Sequence, residues 1–420
     1  MRRHADTVKF GPTLMAQADV LACFTMDAPR ITRTYLSREH KAAGEYLIGL
    51  MLEAGMQAGF DALGNIVGRY AATDPAAPVV MTGSHQDSVR NAGKYDGLFG
   101  ILSAIACVRD LHQRGKRLPF TLEVIGFGDE EGVRFAATLI GSKAMAGAFD
   151  PAWLAKTDAD GISMAQALRD FGGDPQAFAA LDRRGSNVLA FVESHIEQGP
   201  VLLNDGLCLG VVTAIAGATR LKVSVTGLAG HAGTVPMGQR QDALAAAAEM
   251  LLAVERYCEA HREQGGLVGT VGILEARPGA ANVIPQDVSF TVDVRSGDDA
   301  ARRQAVAAFE SEFAAIATRR RVRVEAATYY SADAAPCHPG LQAQLARAIA
   351  AQGCAVRHLP SGAGHDAMVF PPLCPTAMLF VRCGNNGISH HPDETMSAQD
   401  ADMATRALLH FFEHFEPVGA

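Results

Sequence analysis

The sequence has no long hydrophobic run and no block of basic residues. No stretch approaches about 18 uninterrupted apolar residues, so we expect no transmembrane helix. Lysine and arginine number 37 against 45 acidic residues, a net charge of -8, which argues against nucleic acid as a partner. The N-terminal residues MRRHADTVKFGP have no apolar segment behind their arginines, so we expect no signal peptide. These absences favour a soluble cytoplasmic protein with a small-molecule partner.

Paired cysteine motifs are also missing. The chain has eight scattered cysteines and no C-x-x-C pair, so neither a redox motif nor a zinc knuckle is indicated. We expect reduced, mostly buried thiols of a cytoplasmic protein. The cysteines are Cys23, Cys107, Cys208, Cys258, Cys337, Cys354, Cys374 and Cys383.

The length of 420 residues allows two domains, each with a sizeable core. Apolar strands that alternate with helical patterns predict an α/β fold with a mixed sheet. The pattern changes near Ala214, where a β-α-β-β-α-β order typical of a ferredoxin-like sandwich begins. We therefore predict a catalytic domain in two parts, 1–213 and 329–420, with an α+β domain inserted at 214–328.

The stretch Gly83–Gly97 carries the first candidate site. It follows the apolar run Pro78–Met81, which predicts a buried strand, so His85 and Asp87 would lie at a strand end. Asp96 follows in a loop before an apolar helix. One imidazole and two carboxylates can form part of a metal site, although a surface cap is the commoner role of an H-x-D pair.

A second candidate site follows the predicted strand Thr121–Phe127. Three adjacent acids, Asp129, Glu130 and Glu131, come directly after it. A solvated acidic loop is one interpretation, because carboxylates are costly to bury without partners. The other is that one carboxylate binds a metal ion while its neighbour is a general base acting on water. The matching strand-end position of His85 favours the second interpretation.

A third strand, Leu189–Glu193, leads into His195. A single histidine in such a place is more often a satisfied core residue than a ligand. The recurrence of metal-binding residue types at three strand ends favours a shared site. The predicted helix Leu98–Leu111 would pack on the same sheet.

The motifs then resemble one family. GSHQDSV, KYDG, DEEG, SHIEQG, AGHAGTVPM, NVIP, DVRS, GAGHDA and GISHHPDE occur in the order found in the hydantoinase/carbamoylase branch of the M20 metallopeptidase-like amidohydrolases. The similarity runs from about residue 60 to 395. His195 in SHIEQG, where peptidase relatives carry an acidic ligand, points to this branch. The resemblance implies a metallopeptidase-like catalytic domain and an inserted lid and dimerisation domain, hence a homodimer.

The resemblance also implies two divalent metal ions. His85, Asp96 and His195 would hold one ion. Asp96, Glu131 and His390 would hold the other, with Asp96 bridging. Nitrogen and oxygen ligands of this kind suit Zn²⁺ or Mn²⁺, and Co²⁺ or Ni²⁺ could substitute.

Roles for the neighbouring residues follow from the same resemblance. Asp87 would orient His85, and Glu130 would be the general base. His391 lies where relatives often have Asn, so the adjacent imidazoles of His390 and His391 compete for one ligand position. Asp129 receives no role, and we expect it to be a solvated loop acid.

In the inserted domain, His231 of the partner subunit would stabilise the oxyanion of the tetrahedral intermediate, and Asn282 and Arg295 would hold a substrate carboxylate. The alternatives are a polar loop residue for His231, a turn residue for Asn282 and a strand-end salt bridge for Arg295. The other pocket residues that the resemblance implies are Gln198, Arg220 and His365.

The implied function is metal-dependent hydrolysis of a ureido (N-carbamoyl) C–N bond next to a carboxylate, with release of ammonia and CO₂. Allantoate, a compound of purine catabolism, is the expected substrate. The alternatives are an N-carbamoyl-L-amino acid or a β-ureido acid, and, further away, a peptide. A non-catalytic binding protein would have lost a ligand or Glu130, whereas all of these residues are present.

Overall fold

The computed structural model describes residues 9–419. These residues form two compact units. The first contains the chain up to Thr213, Cys337–Leu359 and the chain from His365 onward, and the second contains Ala214–Pro336 and Pro360–Gly364. Within residues 9–419, no helix combines the length and apolar character needed to cross a bilayer.

Helices and strands alternate along most of the chain. The α-helices are α1 Gly11–Ala22, α2 Arg38–Glu53, α3 Leu98–Gln113, α4 Ile140–Met145, α5 Met164–Phe171, α6 Val201–Asn204, α7 Ala243–Ala260, α8 Asp299–Arg320, α9 Pro339–Ala351 and α10 Ala398–Glu413. The strands are β1 Gln57–Phe60, β2 Ile66–Tyr70, β3 Val79–His85, β4 Thr121–Phe127, β5 Val188–Ile196, β6 Leu209–Ile215, β7 Gly217–Thr226, β8 Gly230–His231, β9 Val268–Thr270, β10 Leu274–Arg277, β11 Val283–Ile284, β12 Asp287–Ser296, β13 Arg323–Ala332, β14 Ala335–Pro336, β15 His358–Ser361 and β16 Thr376–Val381.

The first unit is built on a mixed sheet. Its strands lie in the order β1-β2-β4-β3-β5-β16-β6. The central strands β4, β3, β5 and β16 are parallel to one another, whereas β2 pairs antiparallel with β1 and β4, and β6 pairs antiparallel with β16. Every residue of β4 and β16 is buried, which explains why both read as continuous apolar runs in the sequence. The mixed-sheet α/β prediction is confirmed.

Parallel pairing brings the carboxyl ends of β3, β4 and β5 to the same edge of the sheet. In the register, His85 is paired with Phe127 across β3 and β4, so the acidic loop after Phe127 begins beside His85. Helix α3 packs closely on this layer because Gly100 has no side chain, and a Cβ there would lie 2.4 Å from the carbonyl oxygen of Ser194. The polar residues that follow β3, β4 and β5 therefore lie close together at the carboxyl edge of the sheet.

The second unit is an α+β sandwich. Its antiparallel sheet has the strand order β10-β12-β7-β13, with β9 also paired to β12. This is the strand order of a ferredoxin-like fold. Helices α7 and α8 pack on one face, where Phe290 of β12 meets Phe313 of α8. The opposite face carries polar side chains.

One strand pattern of the second unit corresponds to two strands in the structure. The run Gly269–Leu274 predicts a single strand, but its pairing with β12 is interrupted between β9 and β10. The pairs Thr270–Asp293 and Leu274–Phe290 leave one extra residue on the outer strand, which is a β-bulge. Ile273 satisfies its N–H through the Thr291 hydroxyl, 3.2 Å away.

Candidate metal centre

The first group of candidate ligands comes from two strands and a loop. His85 is the last residue of β3, His195 lies on β5, and Asp96 immediately precedes Gly97, which caps α3. Asp96 Oδ1 lies 3.7 Å from His85 Nε2 and 3.3 Å from His195 Nε2. Each imidazole directs Nδ1 to a backbone carbonyl, that of Asp87 at 3.1 Å and that of Ile196 at 2.8 Å. Both rings therefore present Nε2 to Asp96.

A second group shares Asp96. His390 Nε2 lies 3.1 Å from Asp96 Oδ2 and 3.6 Å from Glu131 Oε1. In each of the two groups, one donor atom per residue lies within 4.8 Å of the others. His391 turns away, and its Nδ1 accepts the N–H of Asp393. The structure thus brings His390, and not His391, to the carboxylates.

The charges in this cluster are strongly coupled. Burial favours the protonated form of Asp96, but hydrogen bonds from three surrounding imidazoles outweigh it and hold the pKa of Asp96 well below its usual range. Burial lowers the pKa of His85, yet the carboxylates of Asp87 and Asp96 raise it well above its usual value. Asp96 is therefore an anionic centre surrounded by imidazoles.

Asp87 contacts more than His85. One carboxylate oxygen lies 3.5 Å from His85 Nδ1. The same carboxylate accepts the backbone N–H groups of Glu130 and Glu131 at 3.0 and 3.2 Å. Asp87 thereby ties the loop after β4 to the loop after β3, a second contact that the H-x-D spacing does not predict.

The acidic loop is less exposed than expected. The prediction that Asp129 is a solvated acid is wrong, because Asp129 is 1% exposed and accepts the N–H of Gly132 at 3.1 Å. Burial and Asp87 raise its pKa well above the usual value. Burial also raises the pKa of Glu131 to about 7 and that of Glu130 well above its usual range. The low exposure of Asp129 and the raised pKa values of all three acids result from tertiary packing, which a run of acidic residues in the sequence does not reveal.

Two of the expected pocket residues lie at this centre. The amide nitrogen of Gln198 donates to Asp96 Oδ1 at 3.0 Å and lies 3.3 Å from His390 Nε2. The His365 ring is buried, with its centroid 4.4 Å from that of His195. Burial and the charge of His195 lower the pKa of His365 well below its usual value. Glu193, whose carboxylate accepts the Ser84 hydroxyl, lies within ligand distance of both histidines.

Sequence reasoning missed the role of Glu394. Its Oε1 accepts the backbone N–H groups of Tyr95 and Asp96 at 2.9 and 3.3 Å, and its Oε2 accepts the Ser389 hydroxyl at 2.7 Å. Gly93 lies against the same carboxylate, where a Cβ would come within 2.3 Å. Glu394 therefore joins the loop of Asp96 to the loop of His390. Its place in GISHHPDE was the only available signal.

The second unit contains the other expected site residues. His231 on β8 pairs with Val283 on β11, and the adjacent Ala232 N–H donates to the carbonyl of Asn282 at 2.9 Å. Both His231 and Asn282 are exposed. The small two-stranded sheet therefore places these residues side by side.

Arg295 and Arg220 share one carboxylate. Arg295 Nε lies 3.0 Å from Asp293 Oδ1, and Arg220 Nε lies 3.0 Å from Asp293 Oδ2. The Arg220 guanidinium also stacks over the Tyr330 ring at 5.0 Å, and Arg295 donates to the carbonyl of Gly362 at 2.9 Å. Asp293 thus orients both guanidinium groups, which the sequence did not indicate.

The cluster in the first unit fits a metal ion. Its donors are imidazole nitrogens and carboxylate oxygens, the set that Zn²⁺ and Mn²⁺ accept in proteins. Glu131 Oε1 is buried and has no hydrogen-bond partner among residues 9–419. A buried carboxylate oxygen without a partner is costly, and a cation would satisfy it.

Comparison with known proteins agrees with this description. The family model for peptidase family M20/M25/M40 matches residues 81–414. The chain is 39% identical over 380 residues to an N-carbamoyl-L-amino acid amidohydrolase of Geobacillus stearothermophilus, covering 90% of this chain and 92% of the relative. It is also 39% identical over 416 residues to an allantoate deiminase of Arabidopsis thaliana, covering 92% and 79%. A hydantoinase/carbamoylase family amidase from Burkholderia multivorans superposes with a TM-score of 0.91 at 32% identity, covering 97% and 98%.

An α/β fold with imidazoles and carboxylates clustered at its strand ends is typical of metal-dependent hydrolases. The chain belongs to peptidase family M20/M25/M40, in the branch of the hydantoinase/carbamoylase amidases. It is an amidohydrolase, and its expected family is confirmed.

Proposed function

We propose that the protein hydrolyses a ureido (N-carbamoyl) C–N bond of a small carboxylate substrate, releasing ammonia and CO₂, with allantoate as the substrate. The observation that carries this proposal is the pair of ligand groups that share Asp96, found in a chain similar to allantoate and carbamoyl amino acid hydrolases. On allantoate, the protein would act in purine catabolism in the cytoplasm.

Two divalent ions, Zn²⁺ or Mn²⁺, would complete the site. His85, Asp96 and His195 would hold one ion, and Asp96, Glu131 and His390 the other. Bound there, such ions supply Lewis acidity that polarises a carbonyl group and eases the deprotonation of water. The donor set and the buried Glu131 oxygen that accepts no hydrogen bond from residues 9–419 support this assignment.

Glu130 is the proposed general base. Glu130 is half-buried, its carboxylate lies within 4.8 Å of ligand atoms of His85 and Glu131, and its backbone N–H donates to Asp87. Burial raises the pKa of Glu130 well above its usual range, which strengthens it as a base and eases the later release of the proton. Glu130 would take a proton from the attacking water and deliver it to the leaving nitrogen. Gln198 and His365 would border the substrate at this centre.

Residues of the second unit would recognise the substrate carboxylate. Arg295 can bind a carboxylate through two parallel N–H groups, and Asn282 adds an amide donor. Arg220 shares Asp293 with Arg295 and would support it. His231, contributed by the partner subunit, would donate to the oxyanion.

The carboxylate assignment is tested with Arg295→Ala. We expect KM for the carboxylate substrate to rise about 10- to 100-fold, the loss of roughly 1.5–3 kcal/mol from a charge-assisted hydrogen bond. Arg277→Ala, at an exposed arginine on β10, is the control and should leave KM unchanged. An unchanged KM in Arg295→Ala would remove Arg295 from substrate binding.

We also propose that the second unit forms a homodimer. Among residues 9–419, fourteen large hydrophobic residues are exposed, and nine of them lie in this unit, which holds less than a third of the chain. Exposed apolar residues are covered when a protein forms an interface, so their larger share in this unit supports the proposal. The nine are Leu228, Met237, Leu244, Leu252, Val268, Ile273, Leu274, Tyr329 and Tyr330.

The substrate is tested by ammonia release from the Zn²⁺- or Mn²⁺-loaded protein. Allantoate and a panel of N-carbamoyl-L-amino acids are compared at equal concentration. We expect kcat/KM to be highest for allantoate. A preference for the carbamoyl amino acids would favour the second candidate, because relatives of both kinds are 39% identical to this chain. No activity on either, with metal bound, would contradict the proposal.

A further inference from the structure

Two cysteines far apart in the sequence meet in the first unit. Cys208 precedes β6, and Cys354, 146 positions further along the chain, follows α9. Their sulfur atoms lie 2.9 Å apart. This distance is short for two thiols in mere contact and within easy reach of the S–S bond length of about 2.05 Å. Both side chains are partly exposed, so a small reagent can approach them.

We propose that Cys208 and Cys354 are a modification site, at which the two thiols form a reversible intramolecular disulfide by exchange with a small-molecule disulfide. The other described cysteines differ from this pair. Five of them are buried, and Cys23 is exposed but has no cysteine partner.

The surroundings identify the attacking sulfur. The hydrogen bond from the Cys208 thiol lowers the pKa of Cys354 to about 7 and raises that of Cys208. Because the thiolate is the nucleophile in exchange, Cys354 reacts first. The Cys354 thiolate attacks one sulfur of a disulfide RSSR, forms a mixed disulfide and releases RS⁻, which takes up a proton.

The Cys208 thiol completes the reaction. It loses its proton and attacks the Cys354 sulfur, which breaks the mixed disulfide and releases a second RSH. The two protein thiols lose two electrons in total, and RSSR gains them. The product closes a long loop, because the two cysteines are 146 positions apart in the sequence.

The position of the pair gives the disulfide a structural consequence. Each cysteine lies just before a strand, β6 or β15, in which the chain passes from the first unit to the second. The first unit already ties these segments together through the Asp205–Arg357 ion pair at 3.3 Å and the Val211 N–H to Arg357 carbonyl bond at 2.8 Å. The disulfide would add a covalent link to these two non-covalent contacts.

The experiment compares full-length protein incubated with reduced or with oxidised glutathione. After unfolding, free thiols are alkylated and peptides are mapped by mass spectrometry. We expect the oxidised protein to lose two of its eight alkylated cysteines to one peptide pair, Cys208 linked to Cys354. Dithiothreitol should restore all eight.

Two variants distinguish the specific Cys208–Cys354 disulfide from non-specific oxidation of exposed thiols. Cys23→Ser, the control, removes the exposed thiol and should still form the 208–354 link. Cys354→Ser should abolish the link and leave at most a glutathione adduct on Cys208. In the wild type, oxidation should raise the Tm by roughly 3–8 °C, since a long-loop disulfide stabilises the folded state. Unmodified thiols at both positions, or glutathione adducts without the 208–354 link, would overturn the proposal.

Discussion

At the scale of single residues, three carboxylates connect the strands and loops that carry the candidate metal ligands. Asp96 offers one oxygen to His195 and the other to His390. Asp87 and Glu394 contribute differently, because their carboxylates accept backbone N–H groups of the loops that carry the candidate ligands. Each of these carboxylates therefore links loops that are distant in the sequence.

Glu130→Gln tests the general base. The amide cannot accept a proton, so we expect kcat to fall about 10²- to 10⁴-fold while the metal content stays unchanged. Metal content is measured by inductively coupled plasma mass spectrometry, and kcat by ammonia release. Glu310→Gln, at an exposed glutamate on α8, is the control and should keep full activity. Retained turnover in Glu130→Gln would remove Glu130 from the mechanism.

Glu394→Ala tests the positioning of Asp96 and His390. We expect the affinity for the metal ions, measured by chelator competition, to fall about 10- to 100-fold, the usual effect of losing a residue that orients ligands. Glu394→Gln keeps an oxygen that can accept from Tyr95 and Asp96 and should restore most of the affinity. Equal affinities in Glu394→Ala and the wild type would show that the loops hold their positions without this carboxylate.

At the scale of elements, the fold brings the donors together by close packing at the start of α3. Gly97 caps this helix with φ of 68°, and a Cβ there would lie 2.4 Å from the His85 carbonyl oxygen and 2.6 Å from its ring. Helix α3 can therefore begin directly beside β3 only because residue 97 is glycine. The geometry of the cluster depends on this contact between a helix and a strand.

Gly97→Ala should displace His85 and destabilise the protein. The control is Gly115→Ala just after the same helix, where φ is 64° and a Cβ would meet nothing within 4 Å. The positive φ should cost about 1–2 kcal/mol in Gly115→Ala and at least as much in Gly97→Ala, where ψ is -55°. Steric overlap should add about 1–3 kcal/mol and reduce the metal content in Gly97→Ala only. Thermal unfolding and metal analysis measure both effects, and equal losses in the two variants would contradict the packing argument.

At the scale of the whole molecule, the two compact units divide the candidate functions. Every candidate metal ligand lies in the first unit, and the residues expected to bind the substrate carboxylate and the oxyanion lie in the second. Variants of the second unit, such as Arg295→Ala, should therefore change substrate binding and leave the metal content unaltered.

The proposed dimer is tested at the same scale. Leu274→Glu introduces a charge at a half-exposed leucine of the second unit, and we expect sedimentation velocity to show a shift from dimer to monomer. Leu52→Glu makes the same change at a similarly exposed leucine on α2 of the first unit and should stay dimeric. A monomeric wild type would contradict the homodimer itself, whereas a dimeric Leu274→Glu would place the interface elsewhere.

The sequence by itself determined the type of fold and most of the candidate site. Apolar runs mark strands that are buried on both faces, so the predicted strand Thr121–Phe127 has the bounds that the structure shows. Histidines and acids directly after such runs were recognisable because a strand end is a local feature of the chain. The order of the motifs then identified the family.

Only the tertiary structure decided what depends on contacts between distant segments. It buried Asp129, which looked solvated, and set Glu394 against the loop of Asp96. It also placed His390, and not His391, beside Asp96, and it brought Cys208 into contact with Cys354, which is 146 positions away in the sequence. The physical reason is that local patterns report neighbours along the chain, whereas burial, charge coupling and hydrogen bonding between loops arise only when the sheet has aligned its strand ends.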